Sequence, residues 1–179
     1  MPNWIEGSLK MRGSIDNILN FVKNGMAGYE YKVTDQNIRE PVEIPINNWL
    51  DTQYYDEKDP GGSTLEFKNG LHWIYIKDTK RAFVNNDLWP YIHIYKTPTD
   101  GIYIAVMAIK QAWGFEYDDW INISKKYKLD LKLYGIEGGM GFYDELNIIA
   151  GQLVKNESKV QCNDYSSFAW NCPFPWMGG

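Results

Sequence analysis

Between Trp4 and Asn24 the hydrophobic period of the chain changes once, at Ser14, from two residues to about 3.6. Before that point Ile5, Leu9 and Met11 fall on one side of an extended chain. Glu6, Ser8, Lys10 and Arg12 fall on the other, and the run ends at Gly13. This is the pattern of a strand. After it, Ile15, Ile18, Leu19 and Val22 recur at helical spacing, with Ser14 as N-cap and Gly25 as the stop. Asp16 in the first turn and Lys23 in the last carry the signs that the helix dipole favours. The chain therefore opens as strand, then amphipathic helix.

The last third is equally legible. Gly114 opens a helix across Phe115–Lys126, with acids Glu116, Asp118 and Asp119 at its start and Lys125, Lys126 and Lys128 at its end. Leu129, Leu131 and Leu133 then alternate with Asp130, Lys132 and Tyr134, which reads as a strand with one buried face. Gly138-Gly139 makes a turn. Met140–Ala150 and Gly151–Gln161 read as a long hairpin about Ala150-Gly151. The tail, 162–179, is rich in aromatics, Gly and Pro without a period, so it is expected to pack as an irregular arm or to be partly disordered.

The middle carries weaker signals. Residues 26–70 mix Gly, Pro, Asn and Asp with isolated apolar residues and read as an irregular insertion. Within it, Arg39–Ile46 is expected as an edge strand, because its prolines exclude a central one. Asn47–Tyr55 reads as one or two helical turns, and Asp56–Ser63 as a loop. Beyond Gly70, Leu71–Lys77 and Arg81–Val84 form an expected hairpin about Lys77-Asp78-Thr79-Lys80. Trp89–Tyr95 and Ile102–Gln111 are further strands either side of Pro98–Gly101. The element order gives an α+β expectation: an antiparallel sheet with helices on one face, ferredoxin-like (split β-α-β), in one domain over 1–161 with the insertion at 26–70.

Composition bounds the function. A chain of 179 residues suits one domain and buries enough surface to need no metal or disulfide staple. Its net charge of −5 argues against nonspecific wrapping of nucleic acid, though not against a basic protein partner. No apolar run approaches the length of a membrane span, and the N-terminus shows no signal sequence, so a cytosolic protein is expected. Cys162 and Cys172, with His72 and His93, show no metal-ligand spacing. Two free thiols are the simpler reading, with a Cys162–Cys172 bridge as the alternative. No cofactor or metal is expected.

No nucleophile motif and no phosphate-binding glycine loop opens a helix, so an enzyme is disfavoured. The acids at Glu116, Asp118 and Asp119 are explained by the helix N-terminus. Glu137, beside Gly138-Gly139, can hold loop N–H groups or meet a ligand. His72 and His93 read as half-buried, hydrogen-bonded histidines. The chain nonetheless carries 7 Phe, 8 Trp and 13 Tyr, more than one sheet–helix interface easily hides. His72, Trp73, Tyr75, Tyr91, Tyr95, Tyr103 and Trp113 are candidates for a stacking surface or pocket. Lys77, Lys80 and Arg81 are the basic cluster beside it, suited to one or two phosphates or to a solvated turn. The full RNA-recognition signature is missing, although Arg81-Ala82-Phe83-Val84 is distantly like part of it.

Two stretches resemble a known family. Pro2-Asn3-Trp4 followed by Leu9-Lys10-Met11-Arg12-Gly13 resembles the start of phage- and plasmid-borne proteins with a YubB-like ferredoxin-like domain. Ala112-Trp113-Gly114, the helix, Leu129–Tyr134 and then Gly135–Phe142 are similar to that family's Ala-Trp, helix, strand and Glu-x-Gly-x-x-Phe turn. Thr79–Val84 is a third, shorter likeness. Ile5 replaces the Cys common after Asn-Trp, and neither 26–70 nor the tail matches. The resemblance implies a mobile-element origin, a ferredoxin-like fold and no catalytic residues. From it follows the expectation of a non-enzymatic anti-defence protein, such as one of the anti-CRISPR type, that docks on a host defence protein. The alternatives are sequestration of a small nucleotide signal in an aromatic pocket, with Lys80 and Arg81 at its mouth, or an RNA-recognition-like nucleic-acid-binding module. The candidate binding residues are Trp73, Tyr75, Lys80, Arg81, Tyr91, His93, Trp113 and Glu137.

Overall fold

The structure, a computed structural model, describes residues 3–33, 39–46, 50–51, 56, 58–68, 74–86 and 89–160. Its elements are β1 (Trp4–Gly13), α1 (Ile15–Asn24), β2 (Met26–Val33), β3 (Arg39–Pro45), β4 (Leu50–Asp51), β5 (Thr64–Phe67) and β6 (Ile74–Ile76). There follow β7 (Ala82–Val84), β8 (Tyr91–Lys96), β9 (Tyr103–Ala112), α2 (Tyr117–Tyr127), β10 (Asp130–Glu137), β11 (Phe142–Ile149) and β12 (Gln152–Val160).

All twelve strands belong to one sheet, and every pairing is antiparallel. The main path runs β12-β11-β10-β1-β9-β7-β6-β2-β3. At β9 the sheet forks. Ile109–Gln111 pair with β7, whereas Tyr103–Val106 pair with β8, which carries β5 and then β4. One edge of β9 is thus shared by two branches.

Register explains which face is wet. Ile5 and Leu9 of β1 stand level with Gln111 and Met107 of β9 and with Glu137 and Leu133 of β10. Continuing outward, Val84 lies level with Ile109, Ile74 with Val84, and Ile92 with Leu65. All of these are buried, and the apolar ones form one cluster with Ile18, Phe21 and Val22 of α1 and Trp120, Ile123 and Tyr127 of α2. The opposite face carries Trp4, Phe83, Tyr75, His93 and the charged partners Arg12 and Asp130, which bond at 2.6 Å.

The ferredoxin-like α+β expectation is overturned: the fold is β-rich. Helices of 10 and 11 residues cannot cover a twelve-stranded sheet. They meet through the edge-to-face contact of Phe21 and Tyr127, at 5.2 Å, on the side of β1 and β10–β12. Elsewhere the buried side is filled by side chains of the two branches themselves, Ile46, Leu50, Leu65 and Phe67 among them. The stretch read as an irregular insertion contributes β2 to β5. β3 is an edge strand, with Pro41 and Pro45 in it. The expected helical turns at Asn47–Tyr55 are in part outside the described residues, and Leu50–Asp51 are strand. The tail, with both cysteines, lies outside the described residues.

Candidate functional site

Arg81 is held where the β6–β7 turn, the end of β9 and the N-terminal half of α2 meet. Thr79 closes the turn: its hydroxyl donates to the Ile76 carbonyl at 2.5 Å and accepts from the Ala82 N–H at 3.2 Å. The Tyr75 hydroxyl donates to the Thr79 carbonyl. The Lys80 N–H donates to Asp119 of α2 at 2.7 Å, and Lys126 bonds Asp78 at 2.6 Å. That hydrogen bond to Asp78 is the main reason the Lys126 ammonium is held above its ordinary value.

Beneath the turn runs a buried polar chain. The indole N–H of Trp120 donates to Gln111 at 2.9 Å, and the Gln111 amide donates to the Lys80 carbonyl at 3.2 Å. Both side chains are fully buried, so each bond satisfies a group that would otherwise be costly.

On the open face, Arg81, the residue before β7, and Phe83 of β7 both lie against Trp4. The Arg81 guanidinium carbon lies 5.6 Å from the Trp4 ring centre and 5.1 Å from that of Trp113. Lys110 approaches Trp4 from β9, at 5.9 Å. From Trp4 a row of rings crosses the strands edge to face: Phe83 at 5.8 Å, Tyr75 a further 5.5 Å and Tyr29 a further 6.4 Å. These four are half-buried, whereas Trp113 is 66% exposed. Cation–π contacts at such exposure are worth about 0.5–1 kcal/mol each. Among the described residues no carboxylate pairs with Arg81, and its guanidinium lies over both indole rings.

The backbone here is unusual. Arg81 has φ 59° and Trp113 has φ 65°, left-handed values at non-glycine residues. This conformation costs about 1–2 kcal/mol per residue. Asp78, Lys128 and Ala150 share it at turns and a helix end, so the conformation alone assigns no function. What distinguishes Arg81 and Trp113 is that their side chains meet.

The other sequence candidates are distributed as follows. Tyr75 belongs to the row. Lys80 is nearby, with its ammonium 3.5 Å from Glu116. Tyr91 and His93 stand on the same open face but form a second row with Trp89 and Tyr95: His93 is 5.5 Å from Trp89, 5.8 Å from Tyr91 and 6.3 Å from Tyr95. His93 also bonds Thr64 at 3.0 Å. Four residues of β9 separate the levels of Phe83 and His93, about 13 Å of strand. Glu137 is fully buried, and its carboxylate accepts from the Gly139 and Met140 N–H groups, which holds the β10–β11 turn. Tyr103 packs against the core. His72 and Trp73 lie outside the described residues.

Trp4, Phe83, Tyr29 and Lys110 were not singled out by their residue types. Trp4 shares the parity of Glu6 and Ser8 in β1 and so stands on their side of the sheet. Its neighbours come from β7 and β9, and only the pairing supplies them. Among the described residues no cluster of His, Cys, Asp or Glu has metal-binding geometry, and no helix is long and apolar enough to cross a membrane. No family model matches the chain, and no match was found among curated proteins or solved structures. The YubB-like resemblance therefore rests on its motif residues alone.

Proposed function

We propose that this protein acts by binding and not by turnover, and that its binding surface is the helix-free face of the sheet centred on Arg81. The observation that carries this reading is a guanidinium over two indole rings that has no carboxylate partner among the described residues. A stacked Arg is held in place in advance, so it loses little further freedom when it meets a flat anionic group. The setting is the one the motif resemblance implies: a mobile-element accessory protein that counters a host defence by occupying one of its components.

Of the two expected kinds of component, a small ligand with an anionic group and a ring is favoured by the Arg81 geometry. A host defence protein is favoured by a different observation. Trp89 and Tyr95, 48% and 52% exposed, extend the aromatic surface beyond what one small ligand needs. Trp, Tyr and Arg are also the side chains that dominate protein interfaces.

The test is plating of a restricted phage on bacterial strains with defined defence systems, with and without the protein. Plating is expected to rise in at least one strain, and the Arg81→Ala/Trp113→Ala variant, folded by its melting curve, is expected to lose the effect. Equal protection by the folded variant would remove the Arg81 face from the function.

A further inference from the structure

We infer that the Arg81 face takes nucleobases joined by a phosphodiester, with the phosphate on the outer edge of the Arg81 guanidinium and the bases against Trp113 and the Trp4–Phe83–Tyr75–Tyr29 row. The inference rests on the reading of that face as the binding surface and adds the class of ligand.

Three observations carry it. The guanidinium presents a planar fork that matches phosphate oxygens, and among the described residues no carboxylate competes for it. The ring surface is not one platform but a series, with centres 5.8, 5.5 and 6.4 Å apart. A single ring has no use for such a row, whereas linked bases can occupy successive aromatic side chains. The cationic supply is small. Beside Arg81 stand Lys110, 5.9 Å from the Trp4 ring centre, and Lys80, which is 74% exposed and faces Glu116, and the whole chain has a net charge of −5. The site therefore suits one phosphodiester charge and not a triphosphate or a long strand tracked by many cations.

Linked bases occur in a linear single strand and in a cyclic oligonucleotide, and the face offers the same chemistry to both. The experiment titrates the full chain, by tryptophan fluorescence and calorimetry, with an RNA hexamer, a DNA hexamer, cyclic di-AMP, cyclic di-GMP, AMP and inorganic phosphate. An acidic hexapeptide serves as the non-nucleotide anion. Binding by either hexamer, or by either cyclic dinucleotide, supports the inference and identifies the source. Arg81→Ala is then expected to weaken binding about tenfold or more, the effect of one charge-assisted contact. Arg81→Lys, which keeps the charge and loses the fork, is expected to recover only part of it. Val154→Ala, exposed on the edge strand β12, is expected to change nothing. For a hexamer, the slope of log K against log salt is expected near −0.7, about one phosphate neutralised.

Tight binding of AMP or phosphate with none of the linked ligands overturns the inference, as does a salt slope of several phosphates. Arg81-dependent binding of the peptide alone overturns the nucleotide class and leaves the binding-face reading standing. Nucleotide binding indifferent to Arg81→Ala overturns both.

Discussion

Arg81 and Trp113 each hold a left-handed backbone, with φ values of 59° and 65°, although a glycine would hold it at less cost. The balance can be measured at Trp113. It is 66% exposed, so little burial is lost on truncation, and the strain relieved is of the same order as the Arg81 contact removed. Trp113→Gly is therefore expected to change stability by less than about 1 kcal/mol by denaturant melting, while any Arg81-dependent binding falls. A large loss of stability would mean that Trp113 is a packing residue. Glu137 shows the opposite relation of residue to role. Its type and its place before two glycines left two roles open; its burial and its two bonds to turn N–H groups hold the carboxylate inside the β10–β11 turn.

At the scale of elements, α2 is tied to the sheet by more than its apolar stripe. Trp120 reaches Gln111 of β9, which in turn holds the Lys80 carbonyl of the β6–β7 turn. Trp120→Phe keeps the ring buried but leaves the Gln111 oxygen without its donor, and is expected to cost about 1–3 kcal/mol in denaturant melts. A cost near zero would show that Gln111 finds another donor. β1 and β10 approach closely at Gly7 and Gly135. A Cβ on Gly7 would lie 1.9 Å from the Tyr134 carbonyl oxygen, and one on Gly135 would meet the Phe115 ring at 2.7 Å. Gly7→Ala must therefore push two central strands apart, and little folded protein is expected by circular dichroism; a near-native melting curve would contradict the pairing.

Legibility also varied by element. β1, α1, α2, β10 and β11 were readable because each has one wet and one dry face, so the period shows; β12 was read from the Ala150-Gly151 turn that leads into it. β2 was not. Its core-facing positions begin Met26, Gly28 and its outer ones Ala27, Tyr29, so polarity does not follow the pleat. β3 carries Pro41 and Pro45, which an edge tolerates and which disguise a strand within a loop-like composition.

At the scale of the whole molecule, β12 is the last strand on one side of the sheet among the described residues, and charge guards that edge. Glu145 of β11 lies 2.5 Å from Lys155 and 3.2 Å from Lys132, and Lys155 also reaches Glu157 at 3.0 Å. Charged side chains on an edge oppose pairing with a further strand. The Lys155 bond, above all, holds the Glu145 carboxylate below its ordinary 4.5; burial opposes the shift and Lys132 adds to it. Because the folded value is the lower one, the stabilisation is complete above about pH 4.5 and fades as pH falls through the folded value. In melting curves from about pH 7 to pH 3, Glu145→Gln is expected to be less stable than the native chain at neutral pH, the gap closing in acid. A gap constant across that range would show that the carboxylate's charge contributes nothing.

The sequence by itself determined the local periods, the caps of α1, the acidic balance and the excess of aromatic side chains. Those follow from forces that act between near neighbours in the chain: alternation, helical spacing, dipole and charge. It also pointed to Arg81, Tyr75 and Trp113, because a cation and rings beside a turn are visible as residue types. Only the tertiary structure decided that the fold is a forked β-sheet, that Trp4 and Phe83 complete the cluster, and that Tyr91 and His93 belong to another row. The reason is that strand pairing is non-local. Period two tells a strand which face is wet, but the choice of which edge it joins is made by the fit of whole faces, and here two branches compete for the same edge of β9.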